Sequence, residues 1–270
     1  MISNQKIGLI AGNGSFPALF AKAARERNVE VVACGIDGET LPEVKGLVEK
    51  YYELRLGELG KLIKILKDER VEKAVMVGGV RKVRLFKEIF SLDIEAMKLL
   101  WDMRDKRDNS LLGALIQRLE REGIEFLSSA TYLEDCLAKP GVLTKRASTD
   151  GESQDIEFGK VIAKELSRYD VGLTAVVKDK VVLALEAVEG TDETIRRGAA
   201  LGGAGCVVVK VARPNQDLRY DLPVIGPQTI KTLKDCKVSC LAIEAQKTLI
   251  AEKELTIREA DLAGVSVVAF

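Results

Sequence analysis

Charged residues that could do chemistry gather in two short stretches of this chain. The first, "LALEAVEGTDETIRRG", places Glu186, Glu189, Gly190, Thr191 and Asp192 where an apolar run gives way to a helical pattern. The second, "VVVKVARPNQDLRYDLPVIGP", is an apolar strand pattern that ends near Lys210 and then carries Arg213, Asp217, Arg219 and Asp221 before Pro223. Carboxylates crowded at a strand end are costly unless a cation or a phosphate-bound metal is near. Glu186, Glu189 and Asp192 therefore suit a binding site, and Thr191 or Asp192 equally suits a helix cap. In the second stretch Asp217, Arg219 and Asp221 alternate. An extended chain would put them on one side with the two carboxylates about 13 Å apart, too far to share an ion. A turn at "PNQD" would shorten that distance, and a surface ladder of ion pairs, which adds little stability, is the plainer alternative.

Two glycine turns offer a different chemistry. "GLIAGNGSFP" holds Gly12, Asn13, Gly14 and Ser15 between a strand pattern and a helix pattern. It resembles the first turn of a dinucleotide-binding unit, where glycines let the backbone approach a phosphate at a helix N-terminus. Pro17 stands where a third glycine would be, and Asp37 ends the next strand as a ribose ligand would. A structural turn, a phosphate or sugar site and an NAD site all fit this pattern. "VGGVRKVRLF" puts Gly78 and Gly79 at the end of a third strand, followed by Arg81, Lys82 and Arg84. That set suits a diphosphate, or simply a solvated basic loop.

Composition narrows the chemistry. The chain has 270 residues, 47% of them apolar, with 41 basic and 41 acidic side chains and no histidine. The balanced charge gives no bias toward nucleic acid. Without histidine, a hydrolase here must draw its base from Asp, Glu, Lys, Tyr or a metal-bound hydroxide. Any metal must then be held by oxygen or sulfur, which favours Mg²⁺ or Mn²⁺. The 5 cysteines, mostly in apolar runs, suit reduced core residues, and the Cys236–Cys240 spacing has no second pair to complete a zinc site. The N-terminus lacks a secretory pattern and no long apolar window occurs, so a cytoplasmic protein is expected.

The elements that must position these residues alternate along the chain. "KIGLIA", "VEVVACGID" and "EKAVMVGGV" read as strands, "ALFAKAARERN" and "LGKLIKILKDERV" as helices, and two longer helices follow near residues 92 to 104 and 109 to 122. Such alternation argues for a parallel sheet with helices on its faces. A Gly-, Ser-, Thr- and Asp-rich stretch reads as a linker, after which a second series of helices and strands begins. The fold class expected is α/β: a Rossmann-like N-terminal domain over 1–127, a linker over 128–153, and a C-terminal α/β catalytic domain over 154–270.

These motifs, with "LGELGKLIKILK", "DNSLLGALIQRLEREG" and "RYDLPVIGP", make the chain similar over nearly its whole length to the UDP-2,3-diacylglucosamine pyrophosphatase family of the LpxI type. "EGTD" followed by "RYDLP" is the most specific part. The resemblance implies a two-domain enzyme with its ligand cleft between the domains. Its reaction would be hydrolysis of the diphosphate of UDP-2,3-diacylglucosamine to 2,3-diacylglucosamine 1-phosphate and UMP, with Mg²⁺ (or Mn²⁺), in lipid A synthesis. It assigns catalysis to Asp221, as general base or as metal ligand, and maps Gly12, Asn13, Gly14, Ser15, Gly78, Gly79, Glu189, Gly190, Thr191 and Asp192 to the substrate site, which Arg81, Lys210 and Arg219 are expected to join. A homodimer with transient contact at the cytoplasmic face of the inner membrane is implied. So is an apolar tunnel near Phe86, Phe90, Leu99, Leu100 and Trp101, whose helical spacing also suits ordinary core. Leu173 stands where relatives are expected to carry glutamine, and the segment from Arg197 to Gly202 is shorter than in relatives with an insertion. An NAD(P)-dependent dehydrogenase and a non-catalytic nucleotide-sugar binder are the alternatives.

Overall fold

Lys6–Ala11 (β1) is apolar after its first residue, and its last five residues are buried. Phe16–Glu26 (α1) follows with Pro17 in its first turn, where a missing N–H costs nothing; Phe16, Ala18, Phe20, Ala21 and Ala24 form its buried face. The computed structural model describes residues 5–80, 92–103, 108–214, 217–220 and 222–270. The chain divides into two units, Met1–Glu134 with Asp217–Asp221, and Asp135–Gln216 with Leu222–Phe270. Within residues 128–153, Gly141–Val142 is a short strand and a helix begins at Asp150.

The first unit continues through Glu30–Ile36 (β2), Lys50–Leu54 (β3), Leu59–Asp68 (α2), Lys73–Val77 (β4), Ile94–Asp102 (α3), Asp108–Glu120 (α4) and Glu125–Phe126 (β5). Its five strands lie in the order β3-β2-β1-β4-β5, and every pairing is parallel. The chain builds outward from β1 to β3 and then returns to the other side of β1 as β4. The strand order thus reverses between the carboxyl ends of β1 and β4, the place where open sheets of this kind bind ligands. β3 has no counterpart in the sequence reading, because only Leu54 of this edge strand is fully buried. Leu99 packs against the core of this unit, whereas Trp101 is 90% exposed. Trp101 is not core.

The second unit holds Gly141–Val142 (β6), Asp150–Arg168 (α5), Thr174–Lys178 (β7), Val181–Leu185 (β8), Thr191–Gly202 (α6), Val207–Lys210 (β9), Val224–Ile225 (β10), Pro227–Asp235 (α7), Cys240–Ile243 (β11), Leu249–Ile250 (β12), Lys253–Leu262 (α8) and Ser266–Ala269 (β13). Six strands form one sheet in the order β6-β13-β11-β9-β7-β8. β8, β9, β11 and β13 run in one direction, while β7 and β6 run against them. β9 is buried on both faces: Val208 packs with Ile195, Ile230 and Leu233, and Val207 and Val209 with Ile156 and Ala163. This two-sided burial explains why "VVVK" shows no polar alternation.

A capping box at Thr149 and Glu152 starts α5. Arg146 also grips Glu152 with two guanidinium N–H groups, at 2.9 and 3.0 Å, and donates to the carbonyls of Gly264 and Ser239. Burial opposes ionisation of Glu152, yet the Arg146, Ser239 and Thr149 hydrogen bonds hold its carboxyl at about 2. A carboxyl depressed in the folded state stabilises fully above its ordinary value and loses that contribution as pH falls through the folded one. Glu152→Gln is therefore expected to cost about 2 kcal/mol at pH 7 in urea unfolding. The gap from wild type should narrow as pH drops below about 4.5 toward about 2, and a gap that ignores pH would contradict this account.

Candidate functional site

In the first unit the two glycine turns are laced together by backbone. Gly12 N–H donates to the Val77 carbonyl at 2.8 Å and Asn13 N–H to the Gly79 carbonyl at 2.7 Å. A Cβ on Gly12 would lie 2.3 Å from the Gly79 oxygen, and one on Gly78, whose φ is +86°, would lie 2.4 Å from the Asn13 oxygen. These glycines are required by each other. Gly14, also at φ +86°, has nothing within 4 Å of its missing Cβ, and it is exposed. The side chain of Ser15 makes no cap hydrogen bond, so the first turn of α1 keeps the positive end of its dipole beside Gly14. Asn13 donates from Nδ2 to Glu39 at 3.0 Å, and the Thr40 hydroxyl ties β1 to the end of β2 through Ala11 and Ile36. Gly12, Asn13, Gly78 and Gly79 are thus brought to the reversal point of the sheet. Arg81, Lys82, Arg84, Phe86, Phe90 and Asp221 lie outside the described residues.

In the second unit the chemistry collects where β7, β8 and β9 reach one end of their sheet. Thr174 and Lys210 are register partners across β7 and β9. The Lys210 ammonium donates to Thr191 Oγ1 at 2.6 Å. Thr191 Oγ1 donates to Glu186 Oε1 at 3.0 Å, and Leu173 N–H donates to Glu186 Oε2 at 3.1 Å. Burial works against the charge on Glu186, but Lys210 and the hydrogen bonds from Thr174, Leu173 and Thr191 keep its carboxyl below the ordinary value. Gly190, at φ +84°, turns the chain into α6. Glu189 accepts from Arg197 at 2.6 Å, and the same guanidinium nitrogen donates to the Leu185 carbonyl. Asp192 is pushed up by burial against the pull of Arg196, Lys210 and Thr232.

The three carboxylates of "EAVEGTD" therefore do not pool their charge. Each has its own cation or hydroxyl, and among the described residues no group of three His, Cys, Asp or Glu could hold a metal. Glu244 is a further polar anchor, without a sequence signal because it is assembled from residues 164, 212 and 244. Its carboxylate accepts from Lys164 at 2.5 Å and from Ala212 N–H at 2.9 Å, while Lys164 donates to the Ala212 carbonyl at 2.8 Å. Both backbone groups of Ala212 are clamped where the charged stretch begins.

Asp217 and Arg219 sit in a turn instead of an extended ladder. Asp217 accepts from Arg219 Nε at 3.0 Å and Nη2 at 2.7 Å, and Arg219 Nη1 donates to Glu120 at 2.7 Å. Arg219 holds the Asp217 carboxyl below its ordinary value, chiefly by these hydrogen bonds. Ser129 N–H caps the Leu218 carbonyl at 2.7 Å, so the turn is tied to the first unit at both α4 and the segment after β5. The guanidinium of Arg219, expected at the substrate, spans two carboxylates here.

Residues 6–136 match the family model described as the LpxI N-terminal domain, and residues 139–268 match the LpxI C-terminal domain. The chain belongs to the LpxI family. The gap between the two family domains falls near the division between the units at Glu134 and Asp135. Among curated proteins, the chain is similar to the UDP-2,3-diacylglucosamine pyrophosphatase LpxI of Caulobacter vibrioides, with 29% identity over 277 residues, 97% of this chain and 96% of that protein. Among solved structures, it aligns with the biotin carboxylase subunit of a pyruvate carboxylase at 13% identity and a TM-score of 0.29, over 68% of this chain and 38% of that one. The biotin carboxylase domain of Hydrogenobacter thermophilus 2-oxoglutarate carboxylase gives 14% and 0.28, over 66% and 35%. Likenesses that loose carry no inference about site or fold.

The turn geometry separates two kinds of glycine. Gly14→Ala meets only the cost of a left-handed backbone, about 1 kcal/mol, whereas Gly78→Ala adds a backbone clash and should cost about 3 kcal/mol or more. Thermal unfolding of the two variants checks this; equal losses would refute the close approach as the reason for Gly78.

Proposed function

We propose that this chain hydrolyses the phosphoanhydride of UDP-2,3-diacylglucosamine, releasing UMP and 2,3-diacylglucosamine 1-phosphate for lipid A synthesis. The observation that carries the reading is the match of both halves of the chain to the two LpxI domains, end to end, with a relative of that activity. The local geometry supports it. A diphosphate needs neutralisation of its oxygens and a positioned water. The buried Lys210 ammonium offers the first in one unit, and the uncapped start of α1 beside exposed Gly14 offers a second anion-favouring end in the other.

A divalent cation fits this chemistry without a protein-only cage. Mg²⁺ is commonly held by one or two carboxylates together with substrate phosphates. Mg²⁺ or Mn²⁺ would supply charge neutralisation at the phosphoryl oxygens. Asp221 is the carboxylate assigned by the family resemblance, as the ion's ligand or as the base that takes a proton from water. No histidine is needed for either role.

The acylated substrate places the proposed work at the cytoplasmic face of the inner membrane, by transient contact, and the family resemblance suggests a homodimer. Ile94, Met97 and Trp101 of α3, spaced as one helical stripe and 66%, 51% and 90% exposed, suit contact with acyl chains or lipid. No helix among the described residues is long and apolar enough to cross a membrane.

Purified protein given UDP-2,3-diacylglucosamine and Mg²⁺ should release UMP, and EDTA should stop it. Binding of the substrate with no UMP formed would leave only the nucleotide-sugar binder. Asp221→Asn is expected to lower kcat by about 100-fold or more with thermal unfolding little changed, and a variant that keeps most of its turnover would remove Asp221 from the chemistry.

A further inference from the structure

Three lysines pack against the second sheet, Lys164 from α5, Lys178 from the end of β7 and Lys210 from the end of β9, and they are satisfied differently. Lys164 donates to Glu244 and to the Ala212 carbonyl, and Lys178 donates to the carbonyls of Gly202 and Ala204. Each has two acceptors and a structural task. Lys210 is 7% exposed, yet Thr191 Oγ1 is the one acceptor that takes a hydrogen bond from it among the described residues. An ammonium carries three N–H donors, so two remain without a described protein partner. A buried cation left in that state is costly unless an anion completes it.

The direction of the hydrogen bonds follows from donor inventory. Lys210 can only donate, so the single Thr191 hydroxyl proton must go elsewhere, and Glu186 Oε1 at 3.0 Å receives it. The second Glu186 oxygen is held by Leu173 N–H. Glu186 and Lys210 make no direct ion pair within 4.0 Å among the described residues. The carboxylate acts on the ammonium through one hydroxyl and across space. The charged groups facing Lys210 are Glu186, from the end of β8, and Asp192, from the first turn of α6; Thr174 of β7 and Thr191 complete the polar shell. Asp192 is raised by burial and also faces Arg196 and Thr232, whereas Glu186 is linked to the ammonium through the Thr191 hydroxyl.

We infer that Glu186 is a positioning residue of this site: through Thr191 it holds the Lys210 side chain in place beside a counter-charge, leaving two ammonium donors for a phosphoryl group of the substrate. A direct Glu186–Lys210 pair would consume those donors, and no carboxylate at all would leave the buried ammonium without a counter-charge. The hydroxyl between them avoids both. Glu186 does not itself touch substrate in this arrangement. The identity of the anion rests on the proposed hydrolysis of a nucleotide sugar diphosphate, whereas the coupling of Glu186 to Lys210 rests on the geometry alone.

Two readouts keep these apart. Competitive acylation with trace acetic anhydride across a pH series, read at Lys210 by peptide mass spectrometry, reports the ammonium directly. Glu186→Gln keeps the size and an acceptor oxygen but removes the charge, and its Lys210 labelling midpoint should move down by about one pH unit or more, a tenfold change in proton affinity. In UMP release, the alkaline limb of the kcat/KM profile should move down by the same amount, and Lys210→Arg in the Glu186→Gln background, a cation at every working pH, should remove that shift. An unchanged labelling midpoint in folded Glu186→Gln overturns the inference whatever the turnover. A shifted midpoint with no UMP from wild type instead overturns the proposed reaction and leaves the coupling standing. If Glu186→Gln does not fold, Thr191→Val carries the test: it cuts the link while keeping the carboxylate, and a midpoint identical to wild type refutes the relay.

Discussion

Burial of the central strands on both faces governs where this chain can do chemistry. β1 and β9 each run through the middle of a sheet with helices packed against it, and almost none of their surface meets water. Polar groups cannot sit along such strands without an unmet desolvation cost. They are displaced to the strand ends, where backbone turns and helix starts supply partners. In the first unit the displaced feature is a pair of glycine turns whose backbones bond to each other. In the second it is a lysine whose stem completes an all-valine strand and whose ammonium emerges beside a threonine and a glutamate.

Local electrostatics then divides the charges between support and chemistry. Glu189, Asp217, Glu152 and Glu244 are each gripped by an arginine or lysine and by backbone N–H groups. Such pairs orient loops: Arg219 spans Asp217 and Glu120, and Glu244 with Lys164 clamps Ala212. Ala212, Asp217 and Arg219 all belong to the charged stretch between β9 and β10. Lys210 is the contrasting case, a buried cation with one described acceptor where Lys164 and Lys178 each have two. That difference in partners, more than residue type, separates Lys210 from the lysines that only hold backbone in place.

Much of the architecture was legible from periodicity and punctuation. Apolar runs of four to seven residues bounded by glycine or charge became β1, β2, β4, β7, β8, β9, β11 and β13, and the amphipathic stretches between them became helices. β3 escaped because an edge strand with Lys50 and Glu53 on it buries one side chain fully and shows little pattern. The short strand read at "GIEFLSS" is β5, and the two-residue strands β6, β10 and β12 are too short for any periodicity. Trp101, at ordinary helical spacing, could not be told from core until its exposure was known. The glycine turns and "EGTD" stood out as motifs, but their working parts did not: Gly12 and Gly78 looked like phosphate-approach glycines, while the structure shows each making room for the other's backbone.

The sequence alone determined which residue types are available, that histidine chemistry is excluded, and that the chain is built from alternating helices and strands with two glycine turns and two charged stretches. Those properties are local, carried by residues within a few positions of one another. The tertiary structure decided the pairing of the charges, because the partners are far apart in the chain: Glu186 with Lys210 through Thr191, Glu244 with Lys164 and Ala212, Arg219 with Glu120. A carboxylate at a strand end can be a metal ligand, a helix cap or a counter-ion. Which one it becomes depends on the donors that folding brings within about 3 Å, and sequence spacing contains no record of that distance.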